Sequence, residues 1–104
     1  MTSEGYSAPL AVPADHPALA GHFPGAPVAP GVYVLDLVLS IAESWVGRRL
    51  AVRRMSQVKF HAPLTPGVQA TAHLRLDGER LGFKVEHEGR LLVDGSLTLR
   101  AQRL

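Results

Sequence analysis

The chain changes its hydrophobic rhythm once, near residue 50. Between Val32 and Val46 the polar side chains are Asp36, Ser40, Glu43 and Ser44; every other position carries Val, Leu, Ile, Ala, Tyr or Trp. The polar spacings of four, three and one fall on one narrow helical face. The pattern therefore predicts a helix from about Gly31 to Val46, buried nearly all round. Its β-branched residues would also suit a buried strand, but a run of this length favours a helix. Gly47 is a suitable stop, and Arg48 and Arg49 would complement the helix dipole at that end.

Beyond residue 50 the period becomes two. QVKFHAP sets Val58 and Phe60 against Lys59 and His61, and ATAHLRL sets Ala70, Ala72, Leu74 and Leu76 against Thr71, His73 and Arg75. LGFKVEH and SLTLRA alternate in the same way, which predicts strands with one buried face. Turns are expected at Pro63 to Gly67, at Asp77-Gly78 and at Glu88 to Arg90, with Asp77-Gly78 a strong hairpin signal. Asp94-Gly95 interrupts the last apolar run and reads as a bulge. Before the helix, one short strand is expected from Tyr6 to Val12. Pro13, Pro17, Pro24, Pro27 and Pro30 then exclude a regular helix across the next stretch. The expected fold class is α+β, a single domain over 1–104 in which one sheet wraps one apolar helix.

Composition narrows the function classes. A chain of 104 residues has a small core, so association of subunits is a natural way to cover leftover apolar surface. Cysteine is absent, which removes disulfides, thiolate metal sites and a cysteine nucleophile. A net charge of +2 gives no support to nucleic-acid binding. Pro30, Asp36 and Glu43 interrupt the apolar stretch from Val28 to Val46, so no membrane span is expected there. The N-terminus lacks a basic start and an apolar core of signal-peptide type, and a cytoplasmic location is the expectation.

Candidate chemistry sits where the prolines run into the helix, in GHFPGAPVAPGVYVLD. His22 titrates near neutral pH and suits a base. Asp36 stands alone in an apolar helix, where desolvation would favour its protonated form and suit an acid. A polyproline II ligand is the other reading of the proline spacing, and the direct run into a buried helix argues against it. His61 and His73 fall on polar strand faces, His87 adjoins a turn and His16 precedes a proline. None pairs at compact ligand spacing, so no metal is expected.

That segment closely resembles the signature of the β-hydroxyacyl-acyl-carrier-protein dehydratases of the FabA/FabZ type. His22, Phe23, Pro24, Gly25, Pro27, Val28, Pro30, Gly31 and Asp36 match it without a gap, and VKFHAPLTPGVQATAHLRL and LLVDGSLTL resemble the strands that follow. The resemblance implies a compact member with the hotdog fold, a curved antiparallel sheet around a central helix, and no cofactor. It implies a homodimer, open to further assembly, in which His22 of one subunit faces Asp36 of the other. It also implies that the Gly31 backbone N–H holds the thioester oxygen, and that the Val28 carbonyl orients the histidine. The implied reaction dehydrates a (3R)-hydroxyacyl chain on acyl carrier protein to the trans-2-enoyl chain, in fatty-acid synthesis or a related polyene, polyketide or lipid pathway. Carrier proteins are acidic, and Arg48, Arg49, Arg53 and Arg54 form a candidate docking patch. Asp36 in place of glutamate is similar to the branch that can also isomerise the enoyl product, and Ser40 departs from the pattern, standing where glutamine is common. A hotdog thioesterase and a non-catalytic acyl-binding subunit are the competing readings.

Overall fold

The computed structural model describes residues 4–12, 31–65 and 67–100. Strand β1 (Glu4–Ala11) comes first, then helix α1 (Gly31–Val46) and strands β2 (Val52–Phe60), β3 (Gln69–Asp77), β4 (Arg80–His87) and β5 (Arg90–Leu99). The strands form one antiparallel sheet in the order β1-β3-β4-β5-β2. The curved sheet with its single helix is the hotdog fold expected from the sequence.

Alternation sets the faces as predicted. Ala70, Ala72 and Leu74 of β3 join Leu81, Phe83 and Val85 of β4 and Leu97 and Leu99 of β5 in one core. Each of the two hairpins places a glycine in the left-handed region, Gly78 in one and Gly89 in the other. Glu88 and Gly89 both have positive φ, 50° and 78°, the requirement of a two-residue turn that matches strand twist. At the other hairpin Asp77 still pairs with Arg80, so the turn is Gly78-Glu79, one residue later than expected.

The helix packs less completely than its composition predicts. Val34, Val38 and Ala42, four residues apart, are buried, whereas Asp36, Ser40 and Ser44 are exposed. One sheet can cover only one side of a helix, and apolar density alone does not say how many sides have a neighbour. Gly47 ends α1 as expected, with φ +77° and its N–H bonded to the Glu43 carbonyl at 2.9 Å. The Glu43 carboxylate then accepts the Leu50 N–H at 2.8 Å and fixes the path into β2.

Strand β2 begins at Val52, not at Gln57, and includes Arg53 and Arg54. Its register against β5 slips between Ser56 and Lys59, where Gln57 has φ 56°. Two β2 residues there oppose one β5 residue, Gly95, which is a β-bulge. The bulge expected at Asp94-Gly95 thus lies on the facing strand, and β5 continues as one strand through those two residues. A Cβ on Gly95 would lie 2.7 Å from the Val58 Cα, so the bulge can close only against glycine. The sheet has two edges, β1 and β2, and β1 carries Pro9.

Candidate active site

Among the described residues, two hollows bordering the sheet stand out. One, of about 680 Å³, is polar and includes Lys59, His73, Lys84 and Asp94 in its lining, with no residue of α1. The other, of about 740 Å³, lies where the N-terminus of α1 meets β2. Gly31, Val34, Leu35, Val58, Phe60 and Val93 are among its walls, most of them apolar. An apolar cavity that ends on a helix N-terminus suits an acyl chain carrying a polarised carbonyl. The outward N–H groups of a first helical turn favour developing negative charge.

The β2 bulge builds one wall of this cavity. Without it, Met55 and Val58 would fall on opposite faces of the strand, because their separation is odd. The extra residue restores the parity, and Met55, Val58 and Phe60 all line the cavity. Phe60 is 55% exposed, yet its ring lies against Gly31: a Cβ there would be 2.7 Å from Cζ and 2.8 Å from Cε1. The helix therefore begins on glycine because an aromatic ring already fills the side-chain position.

Gly31 is the first residue of α1, where the sequence placed it. Asp36 is exposed in the single chain, so helix and sheet alone do not desolvate its carboxyl. Five residues turn a helix by about 140° and raise it by about 7.5 Å. Gly31 and Asp36 therefore lie on different faces of α1, one toward the cavity and one away from it. His22 and Val28, with the rest of the proline-rich motif and His16, lie outside the described residues.

The arginines divide between two elements. Arg48 and Arg49 follow the helix, Arg53 and Arg54 belong to β2, and all are exposed. Three histidines are committed to neighbours. The His61 Nε2–H donates to the Asp94 carboxylate at 2.8 Å, and the His73 Nε2–H to the Glu86 carboxylate at 2.9 Å. Ser7 donates its hydroxyl hydrogen to His73 Nδ1 at 2.8 Å, and His87 Nδ1–H donates to the Gln69 carbonyl at 2.9 Å. Among the described residues no group of three or more His, Cys, Asp or Glu could hold a metal. No helix among them is long and apolar enough to cross a membrane.

Comparison with known proteins gives this geometry its family. The model of the ApeI-like family, ApeI dehydratase, matches residues 2–96. The chain belongs to the ApeI-like dehydratase family. It is similar to the 3-hydroxyacyl-[acyl-carrier-protein] dehydratase FabZ of Oleidesulfovibrio alaskensis, 32% identical over 85% of this chain and 62% of the relative. For the FabZ of Nitratidesulfovibrio vulgaris strain DP4 the figures are 33%, 84% and 62%. The chain thus spans 62% of the length of each of these relatives. The dehydratase heterocomplex ApeI:P from Xenorhabdus doucetiae has the same fold, with a TM-score of 0.83 at 23% identity over 97% of this chain and 96% of that one. A protein of Erwinia carotovora subsp. atroseptica superimposes with a TM-score of 0.81 at 26% identity, over 94% and 84% of the two chains. This member of the ApeI-like family thus presents its helix N-terminus to an apolar cavity walled by a bulged edge strand.

Proposed function

We propose that this ApeI-like chain dehydrates (3R)-hydroxyacyl thioesters carried by acyl carrier protein, as a dimer whose sites each draw on both subunits. The observation that carries this reading is the placement of Gly31 and Asp36. Gly31 opens onto the acyl-sized cavity, whereas Asp36 is exposed on another face of the same helix. A substrate seated at Gly31 would take its acid from a second copy of the helix. The exposed edge of β2, with Met55 60% and Phe60 55% exposed, offers the surface on which such a copy would pair.

In this mechanism the Gly31 N–H holds the thioester oxygen, so negative charge is stabilised there as the C2 proton leaves. His22 takes that proton as base, with the Val28 carbonyl fixing its tautomer. The partner's Asp36 gives its proton to the C3 hydroxyl, which departs as water and leaves the trans-2 double bond. Closure by the partner would supply the desolvation of Asp36 that a single chain lacks. No step calls on a metal or cofactor. Arg48, Arg49, Arg53 and Arg54, all exposed and basic, would attract an acidic carrier protein. We assign the chain to the cytoplasm, where such a carrier would meet it, and treat 1–104 as one domain. The pathway belongs to fatty-acid synthesis or to a related polyene, polyketide or lipid route.

The test follows enoyl absorbance and free thiol from 3-hydroxyacyl thioesters. Wild type is expected to form enoyl product, and His22→Ala and Asp36→Asn each to lose it by about 100-fold or more. Thiol release without enoyl product would indicate a thioesterase, and acyl binding with neither product a non-catalytic subunit. Native mass determines whether the partner is a second copy. Activity found only with a second, different chain would point to a mixed complex, as in the Xenorhabdus structure.

A further inference from the structure

We propose that Phe60 is the specificity-determining wall of the cavity, and that it excludes acyl chains branched at C2, the carbon beside the thioester carbonyl. The proposal rests on the reading that Gly31 receives that carbonyl.

Three carbons of the Phe60 ring lie 2.7, 2.8 and 3.3 Å from the place of a Gly31 Cβ. The ring therefore occupies the ground next to the amide that would hold the carbonyl oxygen. With that oxygen on the Gly31 N–H, C1 is fixed beside the ring and C2 is the next atom along the chain. An unbranched chain can pass the ring and continue along Val34, Leu35 and Val85. A methyl on C2 needs volume that the ring already fills.

The strand that carries the ring is fixed on both sides of it. Phe60 pairs with Val93, and the next two residues stay tied to β5: the His61 N–H reaches the Leu92 carbonyl at 2.8 Å and the Ala62 N–H reaches it at 3.2 Å. On its N-terminal side Val58 is trapped against Gly95 by the bulge. In the single chain the ring is 55% exposed, and it borders both the cavity and the β2 edge.

Two substrate pairs on pantetheine test the wall. The first, 3-hydroxyhexanoyl and 2-methyl-3-hydroxyhexanoyl thioesters, reads dehydration. The second, hexanoyl and 2-methylhexanoyl thioesters, cannot be dehydrated and reads binding by calorimetry. A methylene in an apolar pocket discriminates by roughly 10- to 200-fold, so wild type is expected to favour the unbranched member of each pair by at least about tenfold. Phe60→Ala should shrink both ratios to about threefold or less, with Phe60→Leu between. Retained binding of the hexanoyl thioester shows that each variant is folded. Equal binding of the second pair by wild type, or a ratio unchanged in Phe60→Ala, overturns the proposal. A wild type that dehydrates both members of the first pair equally also overturns it while leaving the dehydratase reading intact. Selective binding without dehydration of either would keep the wall and remove that reading.

Discussion

Gly31 and Phe60 define one small volume from opposite sides, and neither residue explains it alone. Gly31→Ala would place a methyl into the ring. The ring is half-exposed and can swing aside, so the fold should change little, but the displaced ring enters the space where a carbonyl would sit. We expect a melting temperature within a few degrees of wild type and a loss of about tenfold or more in kcat/KM, measured on the same preparation. This contact was not legible in the sequence. Gly31 and Phe60 are far apart in the chain, and only the return of β2 past the helix start joins them. Asp36 gives the complementary lesson. Its apolar neighbours were plain to read, but exposure depends on which helix face meets the sheet, and Val34, Val38 and Ala42 turn Asp36 outward.

At the scale of elements, alternation located β3, β4 and β5 to within a few residues because each has one wet face and one dry face. Strand β2 was read five residues short. VRRM breaks the alternation, and the bulge at Gln57 shifts its phase, so no single period runs from Val52 to Phe60. The bulge also makes two glycines unequal. A Cβ on Gly95 meets backbone at 2.7 Å, whereas on Gly5 it meets nothing closer than the Leu74 carbonyl oxygen at 3.6 Å. Gly95→Ala should therefore cost about 1–3 kcal/mol by overpacking. Gly5→Ala should be neutral or stabilise by up to about 1 kcal/mol through the unfolded chain. Urea denaturation of both variants measures the contrast, and equal effects would show that the bulge can relax. Losing the bulge would also move Met55 or Val58 off the cavity wall, so Gly95→Ala should lower acyl affinity as well as stability.

The molecule as a whole raises the question of where one site ends and the next subunit begins. If each site takes His22 from one chain and Asp36 from the other, a mixed dimer of His22→Ala and Asp36→Asn has one doubly damaged site and one intact site. Co-expression of the two inactive variants should then restore dehydration to a sizeable fraction of wild type. Sites built within one chain would stay dead in every combination. The signature that carries this expectation, from His22 to Asp36, is legible as a motif in the sequence alone. The layout of one apolar helix followed by alternating strands was legible too. The order in which strands pair was not, because β1 and β2 are placed at opposite edges by contacts that no local pattern encodes.

Those two edges are chemically unlike. β2 has no proline along Val52 to Phe60, although its register shifts twice, at Arg53 and at the Gln57 bulge, whereas β1 carries a proline that has no N–H to give. In the language of polymers, each subunit is a monofunctional unit, with one reactive end and one stopped end. If subunits pair through β2, as proposed, the reactive end of both partners would be consumed at once and β1 would be left on each outer flank. Growth by strand addition would terminate at two, so a chain whose sheet invites extension carries its own stop against fibres.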